Sequence, residues 1–164
     1  MSEIEAKLRA AGLALPDVCK PRGAFLPYRV EGDLVFMAGQ ICEWNGDVPY
    51  TGPVLADGQA SDGRISIDLA AGRKAAELCA LNLLFHLKTA AGGDLDKVAR
   101  VVRLGGFVQC LPGFGASPAV INGASDLLIA LYGEAGRHAR TAVGVAGLPA
   151  NASVEVDAIF SLRG

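Results

Sequence analysis

The stretch from about Ser66 to Ala91 carries the longest helical pattern in the chain, and its second half leaves few ways to fold. Leu78, Cys79, Leu81, Leu83, Leu84, Phe85 and Leu87 place apolar groups almost all the way round. An ordinary surface helix hides one stripe, whereas a helix like this needs cover on more than one side, such as a sheet beneath it and a second helix beside it. Ser66 or Asp68 is placed to cap its start, and Gly92-Gly93 closes it.

The neighbouring segments supply that cover. Residues 24–30 and 34–38 are two short apolar runs around the turn Glu31-Gly32-Asp33, which is a hairpin pattern. Residues 98–110 form a β-rich run in which Gly105-Gly106 points to a bulge or a close approach. A second helix is expected from Ser117-Pro118, with Ser as N-cap and Pro in the first turn, ending at Gly133. Two strands follow, 140–146 and 153–161, joined by the turn Leu148-Pro149-Ala150-Asn151. In the second, Val154, Val156, Ala158 and Phe160 alternate with Glu155, Asp157 and Ser161, so one face is buried and the other polar. Residues 2–12 read as a short leading helix, and 43–65 as a long turn-rich loop with a short strand near Val48. The order ββ–α–β–α–ββ predicts an α+β two-layer sandwich, a mixed sheet with two helices on one face. One small domain has nothing left to cover the other face, so association between copies is expected.

Composition narrows the function classes. At 164 residues there is room for one domain with a real core. The net charge is −2 and no basic stripe runs through the sequence, which speaks against a nucleic-acid partner. No apolar run approaches the ~18 residues of a membrane span. The N-terminus lacks the basic start and apolar core of a signal peptide. Cys19, Cys42, Cys79 and Cys110 are scattered without zinc spacing, so four buried free thiols in a reducing, cytoplasmic compartment are expected. The two histidines, His86 and His138, cannot make a His-rich metal site, and no phosphate-binding glycine motif is present. His86, mid-helix among leucines, reads as a satisfied core imidazole. His138 either lines the surroundings of Arg140 or is a solvated loop residue. Neither a metal nor a cofactor is expected.

Arg140 opens a strand of small residues (Thr141, Ala142, Gly144, Ala146), which leaves room in front of a planar guanidinium suited to a carboxylate. Glu155 lies fifteen residues on, in what reads as the hairpin partner strand. Such a pair suits either a small anionic substrate with a water to activate or a plain cross-strand ion pair.

The segment from Arg140, R-T-A-V-G-V-A-G-L-P-A-N-A-S-V-E-V-D-A-I, resembles the C-terminal signature of the RidA/YjgF family, also called the L-PSP endoribonuclease family. Leu26-Pro27-Tyr28 is similar to the family's G-P-Y, Ala38-Gly39-Gln40-Ile41 to its S-G-Q-I, and Asn122 lies one residue from the position of a family asparagine. The resemblance spans residues 24–161 and implies a chorismate-mutase-like fold over 24–164, with 1–23 as an N-terminal extension. It further implies a homotrimer with sites between subunits, and hydrolysis of reactive 2-imino or enamine acids to 2-keto acids and ammonia. Arg140 and Glu155 would be catalytic, with Arg140 on the substrate carboxylate and Glu155 on water. Tyr28, Gly39, Gln40 and Asn122 would complete a pocket for a small carboxylate-bearing metabolite. A non-catalytic carboxylate-binding trimer and an RNA-cleaving translation inhibitor are the alternatives. The chain departs from the archetype at Ala142, where the family carries a cysteine, in its added N-terminal helix, and in its longer 43–65 loop. It therefore reads as a longer, diverged branch.

Overall fold

The computed structural model describes residues 2–60 and 62–164. Five strands, β1 (Tyr28–Glu31), β2 (Leu34–Ile41), β3 (Val98–Gln109), β4 (Ala139–Val145) and β5 (Val154–Leu162), form one mixed sheet in the order β1-β2-β5-β3-β4. All pairings are antiparallel except β3 with β4. Helices α2 (Leu69–Ala90) and α3 (Ser117–Tyr132) pack on the face to which β5 turns Val154, Val156, Ala158 and Phe160, all buried. The α+β sandwich expected from the sequence is the observed architecture.

The all-round apolar helix is covered as its composition requires. Alongside it, Gly123 of α3 approaches so closely that a Cβ there would lie 1.9 Å from the Arg73 carbonyl oxygen of α2. Asn82, fully buried in α2, donates through Nδ2 to the carbonyls of Ile41 (3.0 Å) and Glu43 (2.7 Å), which fixes the end of β2. Helix α1 (Glu3–Ala10) carries a Ser2/Glu5 capping box, gives the Glu3 and Ile4 N–H groups to Asp96, and sends Ile4 and Leu8 into the common core.

Several local expectations are corrected. Residues 24–27 are irregular, because the first strand starts at Tyr28, and β2 runs on to Ile41. The long helix starts at Leu69 on an Asp68 cap whose side chain accepts from Ala71 N–H. Ser117 is not a cap: it lies inside α3 with its hydroxyl buried and unpartnered, and Ala116 holds the cap position. In place of a strand near Val48 there is a bridge between Trp44 and Asp47 around Asn45-Gly46, both at positive φ. The Gly105-Gly106 pair marks close approach: a Cβ at Gly106 would strike Ile121 of α3, and one at Gly105 the Asp157 carboxylate. Cys42 and Cys79 are buried, while Cys19 and Cys110 are only partly so, and all four are free. The largest correction concerns β4. It is not the hairpin partner of β5 but the outer neighbour of β3, parallel to it and reached through α3. No helix among the described residues is long and apolar enough to cross a membrane.

Candidate functional site

The structure sorts the expected site residues other than Tyr28 into two clusters, one on each face of the sheet. The first is built on Arg140. Its β-ladder row also holds Leu104 and Ala158, both buried beneath the helices, so Arg140 points toward α3 at the open edge of the sheet. There Nη1 donates to Asn122 Oδ1 (2.8 Å) and Ser125 Oγ (3.0 Å), and Nη2 to the Pro118 carbonyl (3.2 Å). A guanidinium has five N–H donors, so Nε–H and one Nη2–H remain without partners among the described residues. Sequence reasoning brought Asn122 here but missed Ser125 and Pro118, since neither has a pattern of its own. His138 lies in the same cluster, its Nε2 3.0 Å from Ser125 Oγ and its Nδ1 2.7 Å from the Gly136 carbonyl. Burial, more than the nearby Arg140 charge, holds its imidazole below the usual histidine value, while the Gly136 bond acts the other way.

The second cluster surrounds Glu155, on the face away from the helices. A register shift between Met37 and Gln40 places Gly39 beneath the Glu155 carboxylate, so close that a Cβ at Gly39 would strike Oε1. This position tolerates only glycine while the carboxylate stays where it is. Gly39, Gln40 and Glu155 are part of the lining of a pocket of about 160 Å³ that also includes Cys19, Arg22 and Phe25. Arg22 is tied down by Glu43, Nε to Oε2 at 2.8 Å. Gln40 is engaged rather than free: its Oε1 accepts from the Cys19 thiol (3.2 Å) and its Nε2 donates to the Ala38 carbonyl (3.2 Å). Burial pushes the Cys19 thiol up to about 11, in keeping with a thiol that donates its proton. Burial also raises the Glu155 carboxyl above its usual value, and the Asp157 carboxylate two residues along the same face adds to it. Asp157 is itself paired to Arg103 at 3.0 Å. A carboxyl with a raised pKa inside a small pocket is suited to take a proton from water.

Tyr28 joins neither cluster within one chain. It pairs with Met37 at the start of β1 and borders a separate groove beside His86 of α2. Burial lowers the His86 imidazole, which stacks edge-on to Phe85. Among the described residues no group of three or more His, Cys, Asp or Glu side chains is placed to hold a metal ion.

The "YjgF/chorismate_mutase-like, putative endoribonuclease" family model matches residues 5–161 of this chain. Protein TCP17 of Trypanosoma cruzi is 39% identical over 161 residues, which span 98% of this chain and 94% of that protein. The crystal structure of Atu1372 from Agrobacterium tumefaciens is 43% identical with a TM-score of 0.86, covering 98% of this chain and 93% of its own. At the level of fold alone, E. coli TdcF with bound serine is similar, with 23% identity and a TM-score of 0.52 over 92% of this chain and 94% of that one.

Proposed function

This chain belongs to the RidA/YjgF family, and from that premise we propose that it hydrolyses small 2-imino or enamine acids to 2-keto acids and ammonia in a homotrimer whose sites are completed between subunits. The observation that carries the reading is the state of Arg140. Three protein acceptors hold the guanidinium from the α3 side, which leaves Nε–H and one Nη2–H as donors for a carboxylate. Glu155 is the second half, in a pocket large enough for a small side chain. The two halves face different sides of one sheet, so a substrate that uses both must lie where Arg140 of one copy meets the Glu155 pocket of another. Serine, bound to E. coli TdcF, is likewise a small carboxylate-bearing molecule.

The chemistry then follows from position. Arg140 fixes the carboxylate and so the adjacent imine carbon, and lowers the entropy cost of attack. Glu155 passes one proton of a water to the imine nitrogen as the water oxygen adds to that carbon, then carries the remaining hydroxyl proton to the nitrogen as the C–N bond breaks, so both water protons leave in the ammonia. Ammonia leaves and the carbonyl remains. An imine carbon is already electrophilic, so these two side chains suffice for the step.

The test offers freshly generated 2-iminobutanoate to wild type, Arg140→Ala and Glu155→Gln and follows keto-acid release. Wild type should turn over, Arg140→Ala should lose ~10- to 100-fold in kcat/KM through loss of charge-assisted hydrogen bonds, and Glu155→Gln should bind a keto acid without turnover. No release above buffer by wild type refutes hydrolysis, and retained keto-acid binding would then support a carboxylate-binding protein.

A further inference from the structure

The Arg140 cluster contains more machinery than holding an arginine requires. Ser125 is a buried hydroxyl in the middle of α3, and it meets two groups at 3.0 Å: Arg140 Nη1 and His138 Nε2. Arginine only donates, so Ser125 Oγ accepts from it. On its other side, His138 Nδ1 lies 2.7 Å from the Gly136 carbonyl, which only accepts, so Nδ1 carries the proton. Burial beside the Arg140 charge favours the neutral imidazole, so Nε2 is the acceptor and the Ser125 proton points to it. Each donor in the chain from Arg140 through Ser125 and His138 to Gly136 thus has one consistent direction. The approach of this loop to α3 is itself built in: a Cβ at Gly136 would lie 2.4 Å from the Leu128 carbonyl oxygen. Glycine at 136 therefore lets the 3-10 turn (Gly133–Gly136) close onto the helix and bring His138 against Ser125.

We propose that Ser125 and His138 are positioning residues for the Arg140 anchor, a hydroxyl–imidazole couple that engages its Nη1 and keeps Nε–H and Nη2–H turned toward the ligand carboxylate. The proposal rests on the reading of Arg140 as a carboxylate anchor. Asn122 holds the other Nη1 proton, so with Ser125 in place that nitrogen is satisfied and has no reason to turn toward the ligand. If Ser125 is lost, Nη1 regains a free proton and the guanidinium can rotate about its last side-chain bond. The chain also explains why a histidine occupies this position: its two nitrogens let one ring both accept from Ser125 and donate to the backbone.

The experiment measures 2-oxobutanoate binding by calorimetry for wild type, Ser125→Ala, His138→Ala and His138→Gln, with imidazole ¹⁵N NMR on the same proteins. The chain has two histidines, so the His138 signals are assignable by comparison with the variants. The expected result is an Nδ1–H tautomer at His138 in wild type and a roughly 5- to 30-fold weaker Kd in Ser125→Ala and His138→Ala. His138→Gln, whose amide oxygen can take the place of Nε2, should recover much of that loss. A wild-type Nε2–H tautomer overturns the proposal whatever the variants do. So does wild-type affinity in both alanine variants, or a glutamine variant no better than alanine. Wild type that binds no keto acid overturns the anchor reading and this proposal with it, whereas wild type that binds alongside unaffected variants overturns this proposal alone.

Discussion

Arg140 and Glu155 stand fifteen residues apart in the chain, two strands apart in the sheet, and on opposite faces of it. Leu104 of β3 is the ladder partner of both Arg140 and Ala158, while Glu155 lies opposite Phe107, three residues further along. Two strand spacings and three residues of rise separate the backbones by about 14 Å, before the opposite orientations are counted.

That separation predicts complementation. Arg140→Ala should keep no more than about a tenth of wild-type activity in imine hydrolysis and Glu155→Gln none, but an equimolar mixture, unfolded and refolded together, should rise to about a quarter of wild-type activity. In random assembly each intersubunit site has one chance in four of receiving the intact Arg140 and the intact Glu155. A mixture no more active than its parents would mean that each site draws both residues from one chain.

Glu155 should lower stability where it is ionised. Its folded carboxyl titrates above the usual value near 4.5, so the charged form opposes folding. Its contribution is most favourable below the unfolded value and is lost as pH rises through the folded one. Glu155→Gln should therefore melt about 1–2 °C above wild type at pH 7 and level with it at pH 4. Equal melting temperatures at both pH values would show that burial of this carboxylate costs nothing.

Gly123→Ala should cost about 2–3 kcal/mol in denaturant unfolding, at the upper end of what overpacking costs. Its added carbon meets the Arg73 backbone carbonyl rather than a side chain that could swing away, so α2 and α3 must separate. An unchanged denaturation midpoint would mean that the two helices slide apart freely.

Asn82→Ala should cost about 2–4 kcal/mol, because two buried carbonyls, Ile41 and Glu43, lose their donor as the side chain is cut away. Hydrogen exchange should show the loss concentrated at the end of β2. A uniform change across the sheet would argue against that local role.

Much of the fold was legible because local rules determine it. The strict alternation in 153–161 became β5 with its buried and open faces, and the all-round apolar helix became α2 beneath its neighbours. Misreadings clustered where a contact from elsewhere overrides a local preference. Ser117 has the sequence of a cap yet lies inside its helix, and Asn82, a polar residue in an apolar run, gave no sign that it pins a distant strand end. In the site, Asn122 was legible from resemblance, whereas Ser125 and Pro118 lie on a helix face that meets Arg140 only because β4 is laid beside β3.

The sequence by itself determined most element types and the α+β class, through periodicity and short-range spacing, while its resemblance to the RidA/YjgF family gave the family and singled out Arg140. Only the tertiary structure decided which strands are neighbours. Residues 140–146 and 153–161, joined by a short turn, read as a hairpin, yet β3 pairs with both and lies between them. A turn constrains the distance between two strand ends but not what is inserted between the strands. That is why the spacing of Arg140 and Glu155 looked like a contact in the sequence, whereas in the fold the two residues face different sides of one sheet.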